Sequence, residues 1–151
     1  MMKSQASALS KPVGCTNFKL RQLSRLITQS YDLAMSAAGI KITQYSLLSV
    51  VLKLGPIRPV DLAAQMTMDT STVSRNLKPL LEAGWLKLRK GEDARSHRIE
   101  ITESGRAKRQ EASKLWRAAQ ESLNQTLGVE RVNALHLLID DALALLEPEN
   151  T

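Results

Sequence analysis

The chain is poor in the residues that mark several protein classes. It has one cysteine, Cys15, so no intrachain disulfide can form, which fits a reducing compartment. Aromatic residues make up only 3% against 43% hydrophobic residues in all, so the core must be aliphatic, and its Leu and Ala suit packed helices better than a sheet sandwich. No run approaches the roughly 20 apolar residues a membrane helix needs. No apolar stretch of signal-peptide length follows Lys3 and Lys11. A soluble, cytoplasmic protein with no membrane contact is expected. His97 and His136 are isolated and match no zinc spacing. The sequence carries no G-x-S-x-G, no P-loop and no paired-carboxylate arrangement. It therefore predicts neither an enzyme nor a cofactor or metal site.

What is present is positive charge, unevenly spread. The 151 residues carry a net charge of +6 and suggest one domain or a compact two-lobed unit. Residues 1–40 hold five Lys/Arg against one acidic residue, and residues 41–102 hold ten against six. In residues 103–151 the balance reverses, six against eight. A basic body on an acidic base suits a polyanion on one side only.

Hydrophobic periodicity predicts the elements. Phe18, Leu23, Leu26, Ile27 and Ala34 recur at helical spacing between Asn17 and about Ala38, where Gly39 ends the run. Thr43 is a candidate cap for a helix that is apolar nearly all round through Leu47, Leu48, Val51 and Leu52, ending at Gly55-Pro56. Pro59 stands at a first helical position, and Val60, Ala63 and Ala64 are expected to be the inner side of a short helix to Met66. Thr67 to Asp69 reads as a turn. Asp69 or Thr70 can cap a helix from Ser71 to about Ala83, with Val73, Leu77, Leu80 and Leu81 inward and Ser71, Thr72, Ser74, Arg75, Lys78 and Glu82 outward. Pro79 within it predicts a bend near Arg75 or a tight final turn. Leu86 and Leu88, then Ile99 and Ile101, alternate with charged residues as half-buried strands do. Thr102 can cap a long helix to about Leu127, Gly128 breaks it, and a last helix carries Val132, Leu135, Ile139, Ala142 and Leu146 in a stripe. The fold class expected is mainly α with a small antiparallel β-hairpin.

The run DTSTVSRNLKPLLEAGWL followed by KLRKGEDARSHRIEI has the form of a recognition helix and a basic wing reading duplex DNA. Ser71, Thr72 and Ser74 suit base edges or phosphates. Arg75 has the fork for guanine, and Lys78 suits a phosphate. Thr70 can set backbone N–H groups against a phosphate. Arg89, Lys90 and Arg98 suit flanking phosphates.

The stretch LAAQMTMDTSTVSRNLKPLLEAGWLKLRKGEDARSHRIEITESG resembles the winged helix-turn-helix core of the MarR family of bacterial transcriptional regulators. YDLAMSAAGIKITQYSLLSVV is similar to that family's first two helices, so the resemblance spans about residues 17–146. DARSHRIEIT and the helix-Gly-aromatic-Leu junction are its most specific parts. The opening residues MMKSQASALSKP read as a disordered tail over 1–14, and the resemblance implies a helical dimerisation region over 15–40 and 103–151 and a winged helix-turn-helix DNA-binding domain over 41–102. It implies a homodimer on a pseudo-palindromic operator, a repressor released by a small aromatic or phenolic effector. Arg95 becomes the wing-tip arginine in a minor groove. Asp93 becomes the residue that shapes the tip, and Asp69 a partner for a wing arginine. Tyr31, Tyr45 and Trp116 become candidate linings of an effector pocket.

Some relatives sense hydroperoxides through a cysteine near the start of the first helix, held by tyrosines. Cys15 falls about two residues from that position. Tyr31 matches one tyrosine, while the others fall on Arg21 and Ile42. The sequence alone leaves two alternatives open, a redox-sensing regulator using Cys15 and a winged-helix protein-interaction module that does not bind DNA.

Overall fold

The computed structural model describes residues 10–93 and 96–147. Six helices and one hairpin follow in the order α1 (Thr16–Met35), a 3₁₀ turn (Ser36–Ala38), α2 (Ile42–Leu54), α3 (Pro59–Gln65), α4 (Thr70–Glu82), β1 (Leu86–Lys90), β2 (His97–Ile101), α5 (Glu103–Leu127) and α6 (Val129–Leu146). The hairpin is antiparallel, with Leu86 opposite Ile101 and Lys90 opposite His97. Two bodies result. α2, α3, α4 and the hairpin form a lobe. α1, α5 and α6 form a stem, in which α1 lies along α5.

α2 is the centre of the lobe because it is apolar on every side. Leu47, Leu48 and Val51 are almost wholly buried, each stabilising by roughly 1.5–3 kcal/mol. Its start is not capped by Thr43, as the sequence suggested. Lys41 is the capping residue, and its backbone N–H donates to Gln44 Oε1 at 2.9 Å, while Ile42 N–H donates to Asp32 Oδ1 of α1 at 2.8 Å.

α3 begins at Pro59, as expected, but turns Leu62 and Ala63 inward and leaves Val60 and Ala64 exposed. A seven-residue helix has too few turns for a stripe to fix its orientation, so contact with α4 and β2 fixes it. Its end is a Schellman turn, in which Met68 N–H donates to Ala63 O and Thr67 N–H to Ala64 O. Thr67 adopts a φ of 52° there, a left-handed conformation that a β-branched residue strongly disfavours.

α4 runs unbroken through Pro79, and the tight final turn takes the form of a second Schellman turn. Trp85 N–H donates to Leu80 O, Gly84 N–H donates to Leu81 O, and Gly84 takes a φ of 75°. In the hairpin Ile99 and Ile101 are buried as predicted, but Leu88 is 52% exposed. The reason is a connection the alternation did not show. Ile57 bridges Ile99 on the side away from β1 through bonds of 3.0 and 2.7 Å, so β2 is central and Leu88 lies on an edge.

Thr102 joins lobe to stem. Its hydroxyl accepts from Gly105 N–H at 3.0 Å, capping α5 as expected, and reaches Gly84 O at 2.6 Å and Trp85 O at 3.1 Å. Gly105 completes the joint, since a Cβ there would stand 2.0 Å from the Trp85 carbonyl oxygen. Further along α5, Lys108 Nζ donates to Ala38 O at 2.9 Å and lies 5.6 Å from the Trp85 ring centre. Arg109 Nε donates to Ser49 Oγ at 2.9 Å.

The outer faces of the stem are unpartnered. On α6 only Val132 is buried, and Leu137, Leu138, Leu143, Leu145 and Leu146 stand exposed, as do Phe18, Leu26 and Leu33 on α1. Among the described residues no single helix is long and apolar enough to cross a membrane.

Candidate nucleic-acid interface

α4 presents the polar face the sequence predicts. Val73, Leu77 and Leu80 face the core, while Ser71, Ser74, Arg75 and Lys78 are exposed and Thr72 is half-buried. The helix is held at its start by Asp69, whose carboxylate accepts from Thr72 N–H at 2.7 Å, Ser71 Oγ at 2.6 Å and Thr72 Oγ1 at 2.9 Å. These bonds, from the Ser71 hydroxyl first, lower the Asp69 pKa to about 2. Asp69 is therefore a helix cap whose partners are on the first turn of α4, and among the described residues, which exclude Arg95, no wing arginine pairs with it. The cap also commits the Ser71 and Thr72 hydroxyl hydrogens. Each oxygen can still accept, but Ser74 is the hydroxyl of the three without a partner among the described residues. Arg75 Nη2 approaches Thr72 Oγ1 at 3.4 Å, which leaves the guanidinium edge outward. Lys78 lies 3.9 Å from Glu82, an exposed pair that a phosphate can displace.

Asp93 bonds to Ser96 at the wing. It accepts from Ser96 N–H at 3.0 Å through Oδ1, and its backbone oxygen accepts from Ser96 Oγ at 3.3 Å. Arg95 lies outside the described residues. Arg89 and Arg98 are directly opposite in the hairpin register, beside the pair Lys87 and Glu100 at 3.8 Å. Arg89, Lys90 and Arg98 line one open cleft at the wing base with Asp93 and Ser96. A second cleft joins the wing to the helix-turn-helix, lined by Thr70 at the start of α4, Arg58 and Val60 of the α3 entry, and Ser96 and His97. Wing and exposed helix are thus two parts of one surface. Arg58 is held by Asp61 at 2.7 Å, and the hydrogen bond from Arg58 lowers the Asp61 pKa.

The three aromatic candidates lie away from that surface. Tyr31 and Tyr45 are buried. Tyr31 donates through its hydroxyl to Gln120 Oε1, and burial raises its pKa. Tyr45 stacks on Trp116 with ring centres 6.1 Å apart, and the Arg109 guanidinium lies 5.5 Å from the Tyr45 ring centre. Of the three, Trp116 lines a cleft, between α5 and α6 with Gln120, Asn124, Asn133 and His136. Cys15 is exposed at the cap of α1. Within one chain it lies at the far end of that helix from Tyr31, about 24 Å away by helical rise.

Sequence reasoning missed Lys41, Thr43 and Asn76. They line a cleft with Arg75 between the start of α2 and the middle of α4. Asn76 falls between the polar and apolar faces, and Lys41 and Thr43 are some 30 positions earlier, so periodicity carried no signal for the grouping.

An exposed polar helix following a tight turn and flanked by a basic two-stranded wing defines a winged helix-turn-helix DNA-binding regulator rather than an enzyme. Comparison with known proteins narrows the class. The MarR family model matches residues 40–97. The M. tuberculosis transcriptional regulator MosR, crystallised with DNA, is 31% identical, with a TM-score of 0.74 over 88% of this chain and 99% of that one. The helix-turn-helix-type transcriptional regulator YwoH of Bacillus subtilis is 28% identical over 93 residues, 62% of this chain and 68% of YwoH. A mutant MarR of E. coli complexed with operator DNA shares the fold, at 20% identity and a TM-score of 0.76 over 84% of this chain and 92% of that one. The chain belongs to the MarR family of DNA-binding transcriptional regulators.

Proposed function

We propose that the chain works as a homodimer that represses transcription from a pseudo-palindromic operator and is released by a small aromatic acid. The observation that carries the dimer is the pair of uncovered apolar faces on α1 and α6, too extensive for an isolated soluble subunit to leave in water. Both lie on the stem, so covering them with a second copy leaves both α4 faces outward. In this reading the dimerisation region is 15–40 with 103–151, the reading domain is 41–102, Ser74 and Arg75 read bases, Arg95 enters a minor groove, and Thr70, Lys78, Arg89, Lys90 and Arg98 hold backbone. E. coli MarR, crystallised with operator DNA, supports the operator half of the proposal by its fold.

Sedimentation velocity and selection of bound oligonucleotides test it together. The wild type should sediment as a dimer, and Leu138→Glu as a helical monomer. Selected duplexes should hold two inverted half-sites with centres roughly one helical turn apart. A wild-type monomer, or solitary half-sites, overturns the proposal.

The effector reading is favoured by the aromatic stack of Tyr45 and Trp116 beside Arg109. That guanidinium is anchored through Nε and has no carboxylate partner among the described residues. Benzoate added to the wild-type complex should release DNA, and Arg109→Gln should abolish the response. Release that is equal in both proteins counts against this site.

A further inference from the structure

We infer that the cleft between the first turn of α2 and the middle of α4 seats a backbone phosphate of the bound duplex, on the flank of the recognition helix away from the wing. The inference rests on the DNA reading above and adds to it two residues, Lys41 and Thr43, and a third anchoring point.

The cleft brings together side chains from two elements remote in sequence. Lys41, Thr43 and Gln44 come from the start of α2, and Arg75, Asn76 and Pro79 from α4. No carboxylate lines it, although it has two cations, a hydroxyl and two side-chain amides, with Leu47 and Pro79 as its apolar part. Neither Lys41 nor Arg75 has an ion-pair partner among the described residues. Two acids lie near the cleft but outside its lining: Asp32 accepts from Ile42 N–H on the α1 side of the turn, and Asp69, engaged as the cap of α4, acts on Arg75 through charge. Gln44 accepts from Lys41 N–H, so its amide oxygen is turned away from an incoming anion. A small polar cleft with cationic walls and no internal counter-charge is built for an anion.

Its position says which anion. On a helical wheel Thr72, Asn76 and Pro79 fall on one side of the outward-facing Ser71 and Lys78, and the cleft opens on that side. Thr70, at the start of α4, joins the wing instead. A duplex that received the exposed face of α4 in its major groove would carry one backbone strand past the wing and the other past Lys41. The wing arginines alone would let α4 rock about its axis in the groove. A phosphate held between Lys41 and α4 stops that rotation and sets which side chains meet the base edges. Lys41 and Thr43 would thus add affinity without sequence preference.

The test uses the full chain, a duplex with the selected half-sites and a random duplex, with binding followed by fluorescence anisotropy from low to moderate salt. Lys41→Ala should weaken binding to both duplexes by the same factor, about threefold near physiological salt. It should lower the slope of log affinity against log salt by about 1. Lys41→Arg should restore both. Lys114→Ala, which removes an exposed lysine on the stem, is the control for net charge. Substituting single phosphates by neutral methylphosphonate should find a position that weakens the wild type but not Lys41→Ala. If Lys41→Ala matches Lys114→Ala while Arg89→Gln loses affinity, the cleft inference falls and the DNA reading stands. Loss confined to one duplex, or no methylphosphonate position silent in Lys41→Ala, also overturns it. If the wild type binds no duplex, the DNA reading itself fails.

Discussion

Arg89 and Arg98 face each other across the wing hairpin, two like charges at directly opposed positions. Such a pair is destabilising by roughly 0.2–1 kcal/mol. The fold tolerates it at the base of the basic wing, where a polyanion would relieve the repulsion. Arg89→Gln should therefore raise the stability of the free protein by about 0.5 kcal/mol and weaken DNA binding on any sequence. Urea denaturation and anisotropy measure the two effects, and a variant that loses both stability and binding would show that the pair is structural.

Arg75 and Arg89 should behave differently. Arg75→Ala should reduce discrimination at one base position of each half-site by roughly 1–3 kcal/mol, beyond the uniform loss on any duplex that follows from removing one cation of the Lys41 cleft. Arg89→Gln should leave the discrimination ratio unchanged. Equal losses by Arg75→Ala on operator and random DNA would remove it from base reading.

The Asp69 cap predicts a pH dependence. The folded-state pKa is lowered to about 2 from the ordinary carboxylate value of 3.8, so the charged cap stabilises fully above the unfolded value and its contribution is lost as pH falls toward 2. Asp69→Ala should melt at a lower temperature than wild type at pH 7. The gap should close between about pH 4 and pH 2. A gap that persists unchanged at pH 2 would mean the side chain acts by packing.

Thr67 holds a left-handed conformation at the turn between α3 and α4. Thr67→Gly should raise stability by up to about 1 kcal/mol, the left-handed penalty less the added freedom of the unfolded glycine. DNA affinity should hold or fall slightly if the turn loosens. Chemical denaturation checks the sign.

Gly105→Ala is expected to be the most damaging of these changes. Its methyl group would meet a backbone oxygen rather than a side chain that could turn aside. A cost of about 3 kcal/mol is expected, together with weaker DNA binding as the lobe shifts on the stem.

Local signals were enough for the element order, the N1 position of Pro59, the break at Gly128 and the Thr102 cap, because each is set within a few residues. The polar face of α4 was also legible, as thirteen residues give the wheel enough turns. What escaped depends on distant partners. Asp32 reaches from α1 to Ile42, a partner no local pattern shows, so the sequence pointed to Thr43 where Lys41 is the cap of α2. Ile57 joins the hairpin as a single bridged residue, with no alternation to reveal it, and so Leu88 was placed inside. Asp69 has both the charge to pair with an arginine and the position to cap a helix, and the geometry of α4 shows the cap.

The Thr102 joint has a mechanical consequence. α5 is 25 residues long, about 37 Å of stiff rod. One end is bolted to the hairpin and to the last turn of α4, and the other runs into α6. A tilt of a few degrees where α5 meets α6 becomes a displacement of ångströms at the far tip. A strain at the base of the molecule would therefore reach α4 through this joint and through the packing of α5 on α2.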